Sequence, residues 1–265
     1  MKYYILMGLL FVNANDSWSI DGVIEINQTC ATQLGCFSGD SGGYPVSIDG
    51  TSGNSYKLTS DLIIPDANTT GIQINSANIQ LDLNGFSIIR SDCLVVTDAN
   101  FNYRPNTGSG YGIFVSATFY YGISIKNGSV IGMGNKGLFI PGRNSIIKNI
   151  HVRWNRREGI DAGNDIMMIN NRAFENGGNG LECSAFCLIQ ANVSNKNLGD
   201  GIQASTGSMV MSNMLSDNTG FGLNFVFSGS SGAFRENVMR SNAEGTVNFG
   251  LDLGNNNCDT GVVCP

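Results

Sequence analysis

The sequence is poor in charge, proline and histidine, and these shortages exclude several classes of protein. Charged residues make up only 14% of the 265-residue chain, whereas apolar residues make up 42%. Intrinsic disorder is excluded, because disordered chains are rich in charge and poor in Val, Ile, Leu and Phe. Long amphipathic helices are excluded too, because 35 glycines and a similar share of asparagine disfavour helix formation. Since Gly and Asn tolerate positive φ, we predict a β-rich chain with many tight turns.

The charge balance and the apolar segments restrict the partners and the location. A net charge of −6 disfavours nucleic-acid binding, which calls for a basic face, so we expect no nucleic-acid partner. The apolar run Tyr3 to Val12 follows a charged start, as in signal peptides. Residues 1–19 are therefore predicted to be a signal peptide cleaved after residue 14 or 19; the alternative is a buried strand. No later run is long enough for a membrane span, and we predict a secreted, periplasmic or cell-surface protein.

Seven cysteines in an exported chain favour disulfides. A metal site is disfavoured, because the chain has one His and its Cys spacings do not match those of zinc sites. Cys93 has no near neighbour and is interpreted as a buried free thiol. Three close pairs remain, of which the first and last flank the chain ends and are predicted disulfides, whereas the middle pair stays open: Cys30 and Cys36, Cys183 and Cys187, Cys258 and Cys264.

The decisive feature is a repeat of about 21 residues. A Gly followed by Ile or Leu recurs along the chain, and from Gly137 to Gly222 the intervals are 22, 21, 21 and 21 residues. Two ladders of Asn run in step with this Gly. The members are Gly112, Gly137, Gly159, Gly180, Gly201, Gly222 and Gly250, with Asn149, Asn171, Asn192, Asn213 and Asn237 in one ladder and Asn155, Asn176, Asn197, Asn218 and Asn242 in the other.

A unit of this length, nearly free of proline, fits one coil of a parallel β-helix with three short strands. Leucine-rich repeats share the length, but their regularly spaced leucines are missing. We therefore predict an all-β fold: a single-stranded right-handed parallel β-helix of roughly eight or nine coils. An N-terminal cap and a disulfide-stapled C-terminal end complete the solenoid. A β-sandwich or propeller does not explain a 21-residue unit with one Gly-Ile pair.

The repeat also divides the chain. Residues 20–70 lack the repeat and are predicted to form the N-terminal cap, since an open coil end exposes unpaired strands. Residues 71–254 are predicted to form the coils, with an inserted loop at about residues 91–110. Residues 255–265 are interpreted as a stapled end plug.

Alternation around each Gly assigns the faces of the first strand in every coil. The residue after Gly is always aliphatic and is predicted to point inward, as is the residue two further on. Cys183 belongs to the second inward row, so it can be a buried small residue, and its pairing with Cys187 stays open. The two inward rows are Ile113, Leu138, Ile160, Leu181, Ile202, Leu223, Leu251 and Val115, Ile140, Ala162, Cys183, Ala204, Phe225, Leu253; the outward row between them is Phe114, Phe139, Asp161, Glu182, Gln203, Asn224 and Asp252.

The segment Leu81-Asp-Leu-Asn-Gly-Phe and the recurring Asn-x4-Asn and Gly-Ile pattern resemble the pectin-lyase-like superfamily of right-handed parallel β-helix proteins. The resemblance covers about residues 71–253 and is specific for the fold. It implies a polysaccharide lyase, hydrolase or epimerase, or an exported protein without known activity, and the fold does not choose among them. The polygalacturonase-like motifs Asn-Thr-Asp, Asp-Asp, Gly-His-Gly and Arg-Ile-Lys and the epimerase-like motif Asp-Pro-His-Asp are absent.

The outward row contains the first candidate site. Asp161 and Glu182 are one coil apart, so their Cα atoms should lie about 5 Å apart. Such carboxylates either raise one pKa or are held by a cation. Calcium is the only candidate cofactor, and its candidate ligands are Glu158, Asp161, Glu182 and Asp200. The alternative is a solvated polar row with a loop packed over the two Phe residues. The candidate ligand-binding residues of this row are Phe114, Phe139, Asp161, Glu182 and Gln203.

The segment His151-Val-Arg-Trp-Asn-Arg-Arg-Glu158 is the second candidate. Arg153, Arg156 and Arg157 are candidate ligands for an acidic sugar, because Arg binds carboxylate bidentately and Trp stacks on sugar rings. In a lyase, Arg153 or His151 would abstract the C5 proton. The alternative is a turn whose arginines offset nearby acids. The candidate catalytic residues are thus His151, Arg153, Asp161 and Glu182.

Together these features predict an exported, non-catalytic β-helix module that binds a polysaccharide or cell-surface glycan. The alternative is a polysaccharide lyase or glycoside hydrolase acting on acidic polysaccharide. The missing motifs favour the first function, and the His151 segment keeps the second open.

Overall fold

Each 21-residue unit forms one coil, and the coils stack into a right-handed parallel β-helix of nine turns. The computed structural model describes residues 22–94, 105–226 and 232–259. Within these ranges the helices are the α-helix Gln28–Thr32 and the 3-10 helix Ser91–Cys93, and neither can cross a membrane. The predicted signal peptide, Cys264 and much of the predicted 91–110 loop lie outside the described residues.

The first strands of the coils form a nine-stranded parallel sheet, here called the first sheet. Its strands are Val46–Ile48, Ile72–Ile74, Ile113–Val115, Leu138–Arg143, Ile160–Asn164, Leu181–Cys183, Ile202–Ala204, Phe221–Phe225 and Gly245–Asn248.

The second and third strands of the coils form the second and third sheets. They join into one 17-stranded sheet, because Ser124–Ile131 and Ile146–Arg153 run through both. The other strands of the second sheet are Ile24–Ile26, Ser55–Leu58, Gln80–Asp82, Met167–Ile169, Leu188–Gln190, Met209–Met211, Ala233–Arg235 and Leu251–Asp252, and those of the third sheet are Leu62–Ile64, Ser87–Arg90, Arg172–Phe174, Val193–Asn195, Met214–Ser216, Val238–Arg240 and Asn257–Cys258.

The repeating Gly is required by close packing between coils. A Cβ atom at Gly159 would lie 2.6 Å from the carbonyl oxygen of Gly180, and one at Gly201 would lie 2.6 Å from that of Gly222. Real side chains do not tolerate such a contact, so the coil spacing here depends on glycine. The Ile or Leu after each Gly fills the core: Ile113, Leu138, Ile160, Leu181, Ile202 and Leu223 are all 0% exposed.

The predicted inward rows fail only at the last coil. Leu251 is 63% exposed and Leu253 is 48% exposed, although both were expected in the core. The coil that begins at Phe221 is longer than the 21-residue coils before it, because Phe221 pairs with Gly245. Leu251 and Asp252 therefore lie in the second sheet, opposite Ala233 and Phe234. Asp252 does not belong to the outward row of the first sheet, where Asn248 stands instead.

Both Asn ladders are buried and link coil to coil. In the second ladder, the amide of Asn176 donates to Asn197 Oδ1 at 3.0 Å and the amide of Asn155 donates to Asn176 Oδ1 at 2.9 Å. The first ladder has the same pattern, but Asn149 is not part of it. Ile150 occupies the equivalent position and its backbone N–H donates to Asn171 Oδ1 at 3.0 Å. The first ladder instead continues from Asn171, Asn192, Asn213 and Asn237 to Asn256.

The N-terminal end is covered by non-repeating structure. The helix Gln28–Thr32 begins at the capping residue Asn27, and its Ala31 is buried in the core. Parallel pairing extends N-terminal of Gly71, because Val46–Ile48 pairs with Ile72–Ile74. The segment predicted as cap thus contributes a full coil as well as the covering helix; the assignment of residues 255–265 as an end plug stays a prediction.

Two disulfides lie within the described residues: Cys30–Cys36 beside the N-terminal helix and Cys183–Cys187 at a corner of the solenoid. The sequence left open whether Cys183 pairs with Cys187. In the structure the two are paired, and both are buried. Cys258 is disulfide-bonded, but its predicted partner lies outside the described residues. Cys93 is a buried free thiol, as predicted.

Candidate functional site

The outward row of the first sheet is in register across the coils. Phe114 pairs with Phe139, Phe139 with Asp161, Asp161 with Glu182, Glu182 with Gln203 and Gln203 with Asn224. The row continues to Asn248 at one end and to Gln73 at the other. All of these side chains are half-buried. Because neighbouring parallel strands are about 4.8 Å apart, the row places one side chain at each such step.

The aromatic end of the row is a cluster of three rings. Phe114 and Phe139 lie 6.0 Å apart between centroids, and Tyr111 lies 4.9 Å from Phe114 and 5.8 Å from Phe139. The three planes are within 24° of parallel. Tyr111, which precedes Gly112, was not among the residues predicted from the sequence. Among the described residues near the expected loop, Tyr111 is the one whose ring packs on the two Phe residues.

Lys136 neutralises the acidic centre of the row. Its Nζ atom contacts Asp161 Oδ2 and lies 3.3 Å from Glu158 Oε2, and it also lies 4.7 Å from the centroid of the Phe139 ring. The sequence-based prediction included the acids that precede a repeat Gly, Glu158 and Asp200, but not Lys136 at the same position before Gly137. Lys136, Glu158 and Asp200 all precede a Gly of the repeat, so the signal was present.

Burial is the largest influence on the pKa values of Asp161 and Glu182. It raises the pKa of Asp161, and the hydrogen bond and charge of Lys136 offset this effect only in part. Burial also raises the pKa of Glu182, and the negative charge of Asp161 adds to it. For Lys136, burial acts to lower the pKa, but the hydrogen bond and charge of Asp161, together with Glu158, outweigh it and raise the pKa.

The remaining polar groups of the row are hydrogen-bonded to the preceding turn. Asn179 Nδ2 donates to Glu182 Oε2 at 2.9 Å and to Gln203 Oε1 at 3.1 Å. Asp200 accepts from Asn224 Nδ2 at 2.7 Å and from the backbone N–H of Phe221 at 2.7 Å. These contacts fix the side chains while leaving further acceptor capacity on the carboxylates.

The four acids proposed as calcium ligands each have a donor from the protein. Glu158 and Asp161 bind Lys136, Glu182 binds Asn179, and Asp200 binds Asn224. In the part of the chain that the structure describes, no group of three or more His, Cys, Asp or Glu residues is arranged to hold a metal ion. A calcium ion at these acids would have to displace existing contacts.

The basic segment is divided between two faces. His151 and Arg153 are exposed on the third sheet, whereas Asp161 and Glu182 are on the first sheet. Arg156 and Arg157 lie in the turn between the sheets, and Arg156 donates to the carbonyl oxygen of Asn106 at 3.1 Å. The structure therefore does not bring the two sets of candidate catalytic residues together on one sheet.

Trp154 is not available to stack on a sugar ring. It is 4% exposed and packs with Ile89, Cys93 and Ile131 in a small cluster. Its indole Nε1 donates to Glu175 Oε2 at 2.7 Å, and the Arg153 guanidinium lies 4.3 Å from the ring. The sequence-based expectation for Trp154 is wrong, because the ring is buried in this cluster.

Comparison with known proteins identifies the fold and no closer relative. No family model matches the chain, and no curated protein matches it in sequence. Pectate lyase Pel9A superposes with a TM-score of 0.52 and 14% identity over 88% of this chain and 66% of that one. The periplasmic alginate epimerase AlgG gives 0.49 and 13% over 88% and 83%, and the A-module of the Azotobacter vinelandii mannuronan C-5 epimerase AlgE6 gives 0.47 and 16% over 91% and 72%.

The chain thus has a right-handed parallel β-helix fold like that of pectate lyase Pel9A. It spans just under two thirds of the length of the pectate lyase that it resembles. At this level of identity the likeness defines the fold alone.

Proposed function

We propose that this chain is an exported β-helix module that binds polysaccharide along the outward row of the first sheet without cleaving it. The observation that carries the proposal is the unbroken register from Phe114 through Asp161 to Asn224. Aromatic, charged and amide side chains follow one another there at intervals of about 4.8 Å. A linear glycan can therefore meet a new side chain at each coil.

The side chains of the row suit sugar recognition. The ring cluster of Tyr111, Phe114 and Phe139 offers half-buried aromatic surface for the apolar C–H groups of a sugar. The carboxylate and amide oxygens beyond it accept hydrogen bonds from hydroxyl groups. Because Asn179 and Lys136 already fix these side chains, little conformational entropy would be lost on binding.

The contacts of Lys136 support binding rather than proton abstraction. A lysine acts as a base only when neutral, and its pKa must then be lowered. Here Asp161 and Glu158 raise the pKa of Lys136, which keeps it charged. On the third sheet, His151 and Arg153 face away from this row and cannot act on the same sugar residue.

A lyase or hydrolase active on acidic polysaccharide is the second candidate. One observation favours it: burial raises the pKa of both Asp161 and Glu182. Raised carboxyl pKa values in a row open to solvent are typical of acid–base catalysts. However, the two acids lie side by side on one sheet, whereas the carboxyl groups of a glycosidase flank the bond that is cleaved.

Export is part of the proposal. The Cys30–Cys36 and Cys183–Cys187 disulfides form in oxidising compartments outside the cytosol, in keeping with the signal peptide predicted for residues 1–19.

A binding screen tests the proposal. The protein is applied to a glycan array, and any glycan retained is titrated by calorimetry against wild type and a Phe114→Leu/Phe139→Leu variant. The variant keeps aliphatic packing but removes both rings, so we expect roughly tenfold weaker binding. Phe249→Leu is the control, because Phe249 is 49% exposed in the last coil, at the opposite end of the row from the two rings. Equal binding by the double variant, or equal weakening by the control, would contradict the site.

An activity assay separates the two candidates. Polyuronates are incubated with the protein, with and without calcium, and unsaturated products and new reducing ends are followed. We expect neither. Turnover that is lost in Asp161→Asn or Glu182→Gln would establish the enzymatic alternative.

A further inference from the structure

We propose a second binding site, on the outer face of the third sheet, where His151, Arg153 and Arg172 bind the anionic groups of an acidic polysaccharide. This site is separate from the row on the first sheet, and it does not depend on the function proposed there. Its recognition chemistry is that of sulfate and carboxylate groups, which both accept bidentate hydrogen bonds from arginine.

The fold places the three cationic side chains together. His151 pairs with Arg172 of the next coil, so their Cα atoms are about 4.8 Å apart. Arg153 follows two residues after His151 on the same strand, on the same face and about 6.6 Å away. Ser129 of the preceding coil pairs with His151 and adds a hydroxyl group to the line. His151, Arg153 and Arg172 are all exposed.

The charges of this cluster have no acidic partner. On the second sheet, by contrast, two lysines have acidic partners: Lys57 lies 3.3 Å from Glu25, and Lys126 lies 3.3 Å from Asp82. Over residues 22–94, 105–226 and 232–259, the side chains of His151, Arg153 and Arg172 form neither an ion pair nor a hydrogen bond. The chain as a whole has a net charge of −6, so this concentration of positive charge runs against the composition.

Stacking on Trp154 restricts the orientation of Arg153 before any ligand binds. The Arg153 guanidinium lies 4.3 Å from the Trp154 ring centroid, and Trp154 is fixed by its hydrogen bond to Glu175 and by burial. Stacking restricts the guanidinium without using its N–H donors. The donors stay free for an oxyanion, and less entropy is lost on binding.

A polymer fits this site better than a small anion does. The cluster lies on an open sheet face, and exposed single ion pairs contribute little in water. Once one anionic group of a polymer is bound, its neighbouring groups are held close to the remaining cations. Several weak contacts can therefore give appreciable affinity together. A chain lying along the solenoid axis passes Ser129, His151 and Arg172 in turn, with Arg153 beside them.

The test uses dextran sulfate as the probe and neutral dextran as its uncharged match. We expect wild type to bind dextran sulfate but not dextran. Arg153→Gln/Arg172→Gln should bind dextran sulfate roughly tenfold more weakly. Arg235→Gln/Arg240→Gln is the control, because it removes the same charge from exposed arginines on the second and third sheets of a later coil; it should bind as wild type does.

A second readout locates the ligand. His151 is the only histidine, so its proton NMR signals are assigned without ambiguity. An anion beside it stabilises the imidazolium, so dextran sulfate should raise its titration midpoint. Equal binding by the Arg153/Arg172 variant and the control, or an unchanged midpoint at saturation, would overturn the proposal. Phe114→Leu/Phe139→Leu should bind dextran sulfate normally, so failure of the first-sheet site would be visible separately.

Discussion

The outer faces of the first and third sheets both carry a line of charged side chains, but the two lines differ in whether an opposite charge lies beside them. On the first sheet, Lys136 lies between Asp161 and Glu158. On the third sheet, Arg172 stands beside His151 with no acid opposite. The same coils and the same spacing build both faces. The 21-residue period therefore aligns side chains from coil to coil. Whether their charges are neutralised depends on residues in the turn before each strand, such as Lys136.

The turn that separates the two faces gives the largest expected effect. Asn176 accepts from the N–H and amide of Asn155 and donates to Asn197 and to the Val152 carbonyl oxygen. Asn176→Ala leaves several buried groups without partners, at about 1–3 kcal/mol each. We expect the free energy of unfolding, measured by urea titration, to fall by about 3 kcal/mol or more.

Asn195→Ala is the matched control, since Asn195 is half-buried on the outer face of the third sheet. A surface substitution of this kind changes stability by about 0.5 kcal/mol or less. If both variants lose equal stability, the ladder does not hold the coils together, and both faces lose their structural basis.

The Asn ladders illustrate which features of the fold could be predicted from the sequence alone. Gly and Asn recur at a fixed interval, so coil number, inward rows and one full ladder were predictable. Asn149 was placed wrongly because Ile150, one residue later, pairs in register with Asn171. At the ladder turns, the residue just before the asparagine has positive φ, as at Ala191 and Lys196. These residues vary in type, so the sequence does not reveal their conformation.

The failures at the site have a common physical cause. Lys136 and Tyr111 reach the outward row from the turn before the strand, so strand alternation does not predict their contacts. Trp154 is covered by Cys93 from a segment with no repeat. Leu251 was misplaced because the repeat lengthens after Phe221. Contacts set by insertions and turn residues are tertiary, and a period of 21 residues contains no information about them.

Removing the neutralising lysine should make the first face resemble the third. Lys136→Met leaves Asp161 and Glu158 facing each other, largely buried. Breaking such a pair leaves uncompensated charge, and we expect a loss of about 2 kcal/mol at neutral pH in urea unfolding. Asp161→Asn in the same chain removes one of the two charges and should recover most of the loss.

The pH dependence of that variant has a definite sign. The pKa of Asp161 is already raised in the fold, and loss of Lys136 raises it further. Between the ordinary and the raised value, the folded state holds more protons than the unfolded state, so stability falls as pH rises. Lys148→Met is the control, since Lys148 is exposed on the second sheet. A stability of Lys136→Met that is independent of pH above 3.8, the ordinary Asp value, would show that the pKa of Asp161 is not raised in the variant and would contradict this prediction.

The smallest expected effect is a shift of the His151 pKa on the third sheet, where His151, Arg153 and Arg172 have no acidic partner among the described residues. Burial lowers the pKa of His151, and the charges of Arg172 and Arg153 lower it further; Ser129 and the apolar neighbours add no charge. In NMR, the His151 titration midpoint should lie below its ordinary value of 6.5. Arg172→Gln should raise the midpoint, because one of the two repelling charges is lost, and Arg235→Gln should leave it unchanged.

Linkage then determines the direction of the stability change. A lowered histidine pKa means that the unfolded state binds the proton more readily, so protonation costs stability as pH falls below 6.5. His151→Gln removes this cost, and the stability of wild type relative to the variant should decline on acidification. The difference should shrink in high salt, since the repelling arginines are exposed and screened. A His151 titration midpoint at or above 6.5 would contradict this prediction. It would mean that a negative charge offsets Arg153 and Arg172, as Lys136 offsets Asp161 on the first sheet.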